Sequence, residues 1–169
     1  VVQRAADLNF DLATRFAALT HDFGKPVAFN KHGNLSQHEQ LGIEVIDTFS
    51  QRLKIPIKLT KIAKLMSENH TFCHKIRELT PKKLHTFLVD NMDAVKNEAR
   101  FLQFLNACLC DAQGRGPTMV NKPYPQVEIA KSYIRSLQGL DTKQIVKHAI
   151  AKGLIGKQIS DALRFAEID

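Results

Sequence analysis

Apolar residues recur every three or four positions along nearly the whole chain, and this spacing is the strongest constraint on its fold. Such intervals place apolar side chains on one face of a helix, whereas a half-buried strand needs strict alternation, which no segment of this sequence shows. The first helix is predicted to end near His21, with one apolar face made of Ala5, Leu8, Leu12, Phe16 and Leu19. The sequence therefore predicts an all-α chain of about seven to nine helices.

Helix breakers and caps set the expected ends of the first helices. Gly24 and Pro26 are predicted to end the first helix, and the polar segment 28–36 (AFNKHGNLS) is predicted to be a loop. Ser36 stands before Glu39 at the spacing of a capping box, which predicts that the next helix begins there.

Two later helices are predicted to end at residues that can bind metals. One is expected to run from Pro56 to His70, and the other to end at Asp111, after the apolar run FLQFLNACLC. Between them, Thr80 before Pro81 predicts an N-cap followed by proline in the first turn of a helix.

The character of the sequence changes near position 117. Helix ends before this point carry His and Asp, whereas the segment that follows is rich in basic and turn residues. We therefore predict a catalytic-type helical bundle at 1–116 and a smaller helical tail at 117–169. In the tail, the GLIGK segment lacks the spacing of a phosphate loop and predicts a turn between helices. Tyr124 and Tyr133 lie among basic residues and are candidates to stack on nucleic-acid bases. The alternative is that they pack within the protein.

The charge of the chain favours polyanionic partners. Lys and Arg number 24 against 17 Asp and Glu, which gives a net charge of +7. A basic surface attracts nucleic acid, RNA above all, because it neutralises phosphates. The alternative is that this charge only keeps the protein in solution.

Several classes of protein are disfavoured by composition. No stretch approaches the roughly 20 apolar residues needed to span a bilayer. The first residues, VVQRAADLNF, lack both a signal peptide and an initiator methionine, so we expect no secretion and a piece of a longer protein. Cys73, Cys108 and Cys110 have no metal-binding spacing and an odd count, which favours free thiols and a cytoplasmic location.

A His-Asp pair stands where the helical pattern calls for apolar packing. His21 and Asp22 diverge on a helix, so both can bind one ion only near a helix end, which Gly24 would supply. An imidazole and a carboxylate together suit a divalent ion. His70 and Asp111 follow two other apolar runs and can converge with the pair at one end of a bundle. The alternative is a capping pair without a metal.

The motifs THDFGK, ENH and CDAQGR, in this order, resemble the HD phosphohydrolase superfamily. More closely, they resemble the HD region of bacterial CCA-adding tRNA nucleotidyltransferases, and the resemblance runs over nearly the whole chain. It implies an HD-domain helical bundle and a bound divalent ion, Mg²⁺, Mn²⁺ or Ni²⁺.

The resemblance also implies which residues form the centre. His21, Asp22 and Asp111 match metal ligands, and His70 matches a histidine of the hydrolytic chemistry, in which Asp22 also takes part. The family's further upstream histidine has no counterpart and would fall before Val1, as would the nucleotide-adding head. We therefore expect a fragment that lacks nucleotide addition and binds its ion weakly or not at all.

Three residues are expected to bind substrate. Lys25 and Arg115 would neutralise phosphate oxygens, and His38, which begins the helix after the predicted loop, would lie nearby. The alternative for Lys25 and for Arg115 is that the side chain is an ordinary surface cation that binds no substrate.

The chemistry implied by the resemblance is metal-dependent hydrolysis of phosphate esters. Expected activities are 2′,3′-cyclic phosphodiesterase, 2′-nucleotidase and phosphatase, acting on tRNA ends and nucleotides. Two alternatives stay open: a stand-alone HD nucleotidase and a non-catalytic tRNA-binding body. The sequence also allows a homodimer.

Overall fold

The computed structural model describes residues 1–168, and over that range it consists of helices joined by turns. No strand occurs in this range, so the all-α prediction is confirmed. The α-helices, in chain order, are α1 Val2–Asp7, α2 Leu12–Thr20, α3 Lys25–His32, α4 His38–Arg52, α5 Ile57–His74, α6 Pro81–His85, α7 Glu98–Gln113, α8 Gln126–Gln138, α9 Thr142–Ala151 and α10 Lys157–Ile168. Short 3-10 turns span Ile76–Glu78 and Pro117–Met119, and a π-helical turn spans Thr86–Asn91.

Helix α5 is the centre of the bundle, since it packs against α2, α4 and α7. Its face toward α7 carries Ile62 and Met66, which lie in one cluster with Phe101 and Phe104. A smaller cluster, which contains Ala63 of α5, joins α2 and α4 through Phe16 and Ile46. Burying such side chains stabilises the fold by about 1.5–3 kcal/mol each. The packing fixes the ends of four helices relative to one another.

The prediction of one long first helix is wrong, because the chain breaks into α1 and α2. Asn9 adopts φ +54°, a left-handed conformation that a helix cannot contain. Asp11 then caps α2, accepting a hydrogen bond from the Thr14 backbone N–H at 2.8 Å. After this break the predicted apolar face no longer continues, and Leu12 and Leu19 are exposed.

The predicted loop at 28–36 is also wrong over most of its length. Residues Lys25–His32 form α3, and Pro26 lies in its first turn, where its missing N–H costs nothing. Gly33, at φ +69°, ends this helix in the left-handed conformation. Proline therefore begins a helix here and does not only end the previous one.

The predicted capping box does not form. Helix α4 begins at His38 after Gln37, which has φ +63° and gives no side-chain cap. The Glu39 side chain instead accepts a hydrogen bond from the Thr71 hydroxyl of α5 at 2.8 Å. Tertiary contact with α5 has replaced the local cap.

Two predicted helix ends lie too early. Helix α5 continues to His74, so His70 lies inside its last turn, and α7 continues to Gln113, so Asp111 also lies inside a helix. The N-cap at Thr80 is confirmed, as is a turn between α9 and α10 at the GLIGK segment. Helix α8 adds apolar side chains to the main core cluster, and the boundary near 117 stays a prediction.

Close backbone packing holds the turn after α2 against α4. A Cβ atom on Gly24 would lie 2.0 Å from the His38 carbonyl oxygen and 2.5 Å from the Gly42 nitrogen. We expect Gly24→Ala to lower the free energy of unfolding by about 2–3 kcal/mol, because backbone atoms must move apart. Chemical denaturation of the two proteins measures this difference.

The matched control is Gly139→Ala at the end of α8. A Cβ atom there would lie 3.4 Å from its nearest neighbour, and the backbone has an ordinary negative φ. This variant should stay within about 0.5 kcal/mol of the parent. Equal stability of the two variants would refute the close contact at Gly24.

Candidate metal centre

The Asp22 carboxylate lies where four parts of the bundle meet. His21 and Asp22 occupy the turn between α2 and α3, whose approach to α4 requires the absence of a side chain at Gly24. The start of α4 and the last turns of α5 and α7 supply the other side chains, which are His38, His70, His74 and Asp111. Helix packing thus brings together the four residues that the sequence predicted to converge, His21, Asp22, His70 and Asp111.

His21 is buried between two carboxylates. Its Nε2 atom lies 3.1 Å from Asp22 Oδ2 and 3.4 Å from Asp111 Oδ1, yet it makes no hydrogen bond of good geometry. Its Nδ1 atom donates to the Ala18 carbonyl oxygen at 2.9 Å, because a carbonyl oxygen can only accept. A neutral His21 would therefore direct a lone pair at two anions. A proton or a bound cation on Nε2 resolves this conflict.

His70 and His38 repeat the arrangement on the other side of Asp22. His70 Nδ1 donates to the Ser67 carbonyl at 3.0 Å, and His38 Nδ1 donates to the Leu35 carbonyl at 2.9 Å. Their Nε2 atoms face each other at 3.4 Å and lie 3.8 Å and 3.6 Å from Asp22 Oδ1. Metal-binding histidines usually donate their other N–H to a carbonyl or carboxylate in this way.

Asp22 therefore belongs to two sets of donor atoms. The first is the predicted set, His21, Asp22 and Asp111. In the second, ligand atoms of Asp22, His38 and His70 all lie within 4.8 Å of one another. Asp22 Oδ1 is buried without a hydrogen-bond partner. Imidazole and carboxylate donors around such an atom fit a divalent ion.

Asp111 is held in place by His74 and Arg115. His74 Nε2 donates to its Oδ2 atom at 2.7 Å, and the Tyr124 hydroxyl lies 2.8 Å from His74 Nδ1. Arg115 Nη2 donates to the same oxygen at 2.9 Å. These partners orient Asp111, whose Oδ1 atom lies 3.3 Å from Arg115 Nε and 3.4 Å from His21 Nε2.

The pKa values of His21 and His70 are shifted in opposite directions. Burial alone would lower the pKa of His21, but the Asp111 and Asp22 carboxylates raise it to about 9. Burial, together with the positive charge of His21, lowers the pKa of His70. The pKa of Asp22 is lowered by His21 and Lys25 against the opposing effect of its burial. At neutral pH the metal-free centre thus holds a charged His21 and a neutral His70.

This shift predicts how the stability of the metal-free chain depends on pH. A pKa raised from 6.5 to about 9 adds stability that is complete below pH 6.5 and is lost as pH rises through 9. The free energy of unfolding should fall by about 3 kcal/mol across that range. Urea denaturation in EDTA at several pH values measures it.

The control is His21→Gln, which keeps a polar side chain but cannot titrate. Its stability should lack this component of the pH dependence. An identical fall in the variant would assign the titration to another group and overturn the charged state of His21.

Sequence reasoning missed part of the centre. Lys25 was predicted to bind substrate, and the structure places its Nζ atom 2.6 Å from Asp22 Oδ2. Arg115, also predicted there, pairs with Asp111 and is exposed at its tip. His74 received no role, although it lies one turn after His70 on the same face of α5. The four-residue spacing from His70 indicates that His74 lies near the centre, but not which atoms it contacts.

The chain is similar in sequence to known proteins. Residues 1–98 match the HD domain family. The chain is 35% identical over 169 residues to the "Multifunctional CCA protein" of Psychromonas ingrahamii, covering 99% of this chain and 40% of that protein. It is 35% identical to the protein of the same name from Teredinibacter turnerae and 30% identical to that of Acidovorax sp. JS42, covering 99% of this chain and 39% of each relative. The chain thus spans about 40% of the length of the curated relatives it matches.

No solved structure matches this chain. Among residues 1–168, none of the helices combines the length and the apolar character that crossing a membrane requires.

Proposed function

Because this chain belongs to the HD domain family, we propose that it is a metal-dependent phosphohydrolase acting on phosphate esters of RNA ends and nucleotides. The most specific activity in the proposal is hydrolysis of 2′,3′-cyclic phosphodiesters. We further propose that the chain is the HD region of a CCA-adding tRNA nucleotidyltransferase, on the basis of its relatives.

One observation carries the proposal: two sets of ligand atoms meet at Asp22, whose Oδ1 atom is buried without a partner. His21, Asp22 and Asp111 would hold a divalent ion, with His38 and His70 beside it. When bound, such an ion polarises a phosphoryl oxygen and lowers the pKa of bound water. In a binding module without chemistry, the protonated His21 together with Lys25 and Arg115 would neutralise the carboxylates of the same centre.

The role proposed for His70 is proton transfer. Its Nδ1 atom is committed to backbone carbonyls, so the free Nε2 lone pair faces Asp22. Its lowered pKa keeps this lone pair available at neutral pH. His70 can therefore accept a proton from water at Nε2 and return it to the leaving 2′-oxygen.

Lys25 and Arg115 are proposed to bind phosphate oxygens. Each is paired with a carboxylate of the centre, Lys25 with Asp22 and Arg115 with Asp111. An anionic ester that arrives at the centre can share these cations. The pairing also keeps both side chains in position before substrate binds.

The experiment is an assay of 2′,3′-cyclic AMP hydrolysis by the 169-residue chain with millimolar Mg²⁺, Mn²⁺ or Ni²⁺, and again with EDTA. The proposal predicts conversion to a nucleoside monophosphate that requires the ion. Equal rates with and without an ion would exclude this chemistry. No hydrolysis in any metal, combined with intact tRNA binding, would favour a tRNA-binding body.

A stand-alone HD nucleotidase is the second candidate, because the HD domain family by itself accounts for residues 1–98. The two candidates differ in substrate, since only the first predicts a strong preference for tRNA ends. For either, the buried free thiols of Cys73, Cys108 and Cys110 support a reducing compartment, and we propose the cytoplasm.

A further inference from the structure

A pocket of about 370 Å³ opens next to the candidate metal centre and shares His74 and Arg115 with it. Its walls are the end of α5, the end of α7 and the segment that leads into α8. Lys75, Arg115 and Lys122 lie in this wall, and no carboxylate lines it among the described residues. The pocket is therefore cationic and adjoins the reacting centre.

The two lysines have no part in the centre itself. Arg115 is bound to Asp111, but the ammonium groups of Lys75 and Lys122 form no ion pair within residues 1–168 and are exposed. A cyclic mononucleotide has a single phosphate, which the metal centre would take. Two further cations match a second phosphate, such as the one that joins the last nucleotide of an RNA strand to the one before.

The rest of the pocket fits a nucleobase. Met119, Pro123 and Tyr124 provide apolar surface. Gln126 Nε2 donates to the His74 carbonyl oxygen at 3.2 Å, and its Oε1 atom is buried without a partner. An unpaired buried acceptor is costly, and a turn of the Gln126 side chain toward the pocket would present it to an amino group of a base.

We propose that this pocket is the subsite for the nucleotide that precedes the terminal one, so that the centre acts on RNA strand ends in preference to mononucleotides. The inference rests on the proposed function, since it assumes that the terminal phosphate lies at Asp22. An acidic peptide would satisfy the lysines but would not use the apolar wall and Gln126 together, which favours RNA.

The test is binding of a fluorescein-labelled RNA tetranucleotide with a 3′-phosphate, measured by anisotropy in EDTA so that no turnover occurs. The parent chain should bind it at least about tenfold more tightly than a nucleoside 3′-monophosphate. Lys75→Ala/Lys122→Ala should weaken tetranucleotide binding about tenfold and reduce its salt dependence. Gln126→Leu should weaken it as well, and mononucleotide binding should not change in either variant.

The matched control is Lys143→Ala/Lys147→Ala, which removes two exposed lysines from α9. If this variant weakens binding as much as the pocket variant does, or if an acidic peptide competes as well as the tetranucleotide, the subsite is refuted. Hydrolysis separates the two proposals. Strand-selective binding without hydrolysis would refute the proposed hydrolysis and leave the subsite, whereas hydrolysis of mononucleotides without strand preference would refute the subsite and leave metal-dependent hydrolysis in place.

Discussion

Asp22→Asn is expected to reduce ion-dependent hydrolysis of 2′,3′-cyclic AMP by more than about 10³-fold, close to complete loss. Asp22 contributes a carboxylate to both sets of ligand atoms, and the amide has no charge to offset that of the ion. The substitution preserves the shape of the side chain, so the helices should remain packed. Bound metal, hydrolysis rate and circular dichroism are measured on the same samples.

The control is Asp161→Asn, which changes an exposed aspartate of α10 far along the chain from the His-Asp turn. It should keep parental hydrolysis and metal content. If Asp22→Asn also keeps parental hydrolysis, the His-Asp pair has a structural role only and the tRNA-binding alternative gains support.

His70→Ala should slow hydrolysis by about 10²–10⁴-fold, the usual effect of losing one general acid or base. Metal content should fall much less than in Asp22→Asn, because His21 and Asp111 stay in place. The effect should appear mainly in kcat, and the lower limb of the pH profile of kcat should disappear with the imidazole. Steady-state kinetics across pH test both expectations.

His148→Ala serves as its control, since His148 is exposed on α9 and its Nδ1 atom lies 3.1 Å from the Gln144 carbonyl oxygen of the same helix. This variant should match the parent at every pH. A His70 variant that loses the ion as completely as Asp22→Asn would instead make His70 a ligand and not a proton carrier.

The helical class and much of the chemistry could be predicted because both depend on local spacing. The three- and four-residue apolar period is a property of a single helix, and it predicted α5 and α7 correctly apart from their ends. The His-Asp pair, His70 and Asp111 stood out because polar side chains interrupted or followed apolar runs.

The errors arose where tertiary contacts outweigh local preferences. Asn9 and Gln37 adopt left-handed conformations that no sequence rule demands of them, and each changes where a helix begins. The Glu39 side chain accepts a hydrogen bond from Thr71 of α5, so the capping box that the Ser36–Glu39 spacing predicted does not form. The contacts of His74 with Asp111 and Tyr124 join distant parts of the chain and could not be read from spacing.

The most direct measurement is anomalous diffraction from crystals of the 169-residue chain soaked in millimolar Mn²⁺. We expect one peak within coordination distance of Asp22, because millimolar Mn²⁺ populates even a weak site, with His21 and Asp111 as further ligands and a lower occupancy in Asp22→Asn crystals. No peak near Asp22 at saturating Mn²⁺, or a peak that leaves Asp22 outside its coordination sphere, would contradict the proposed metal centre.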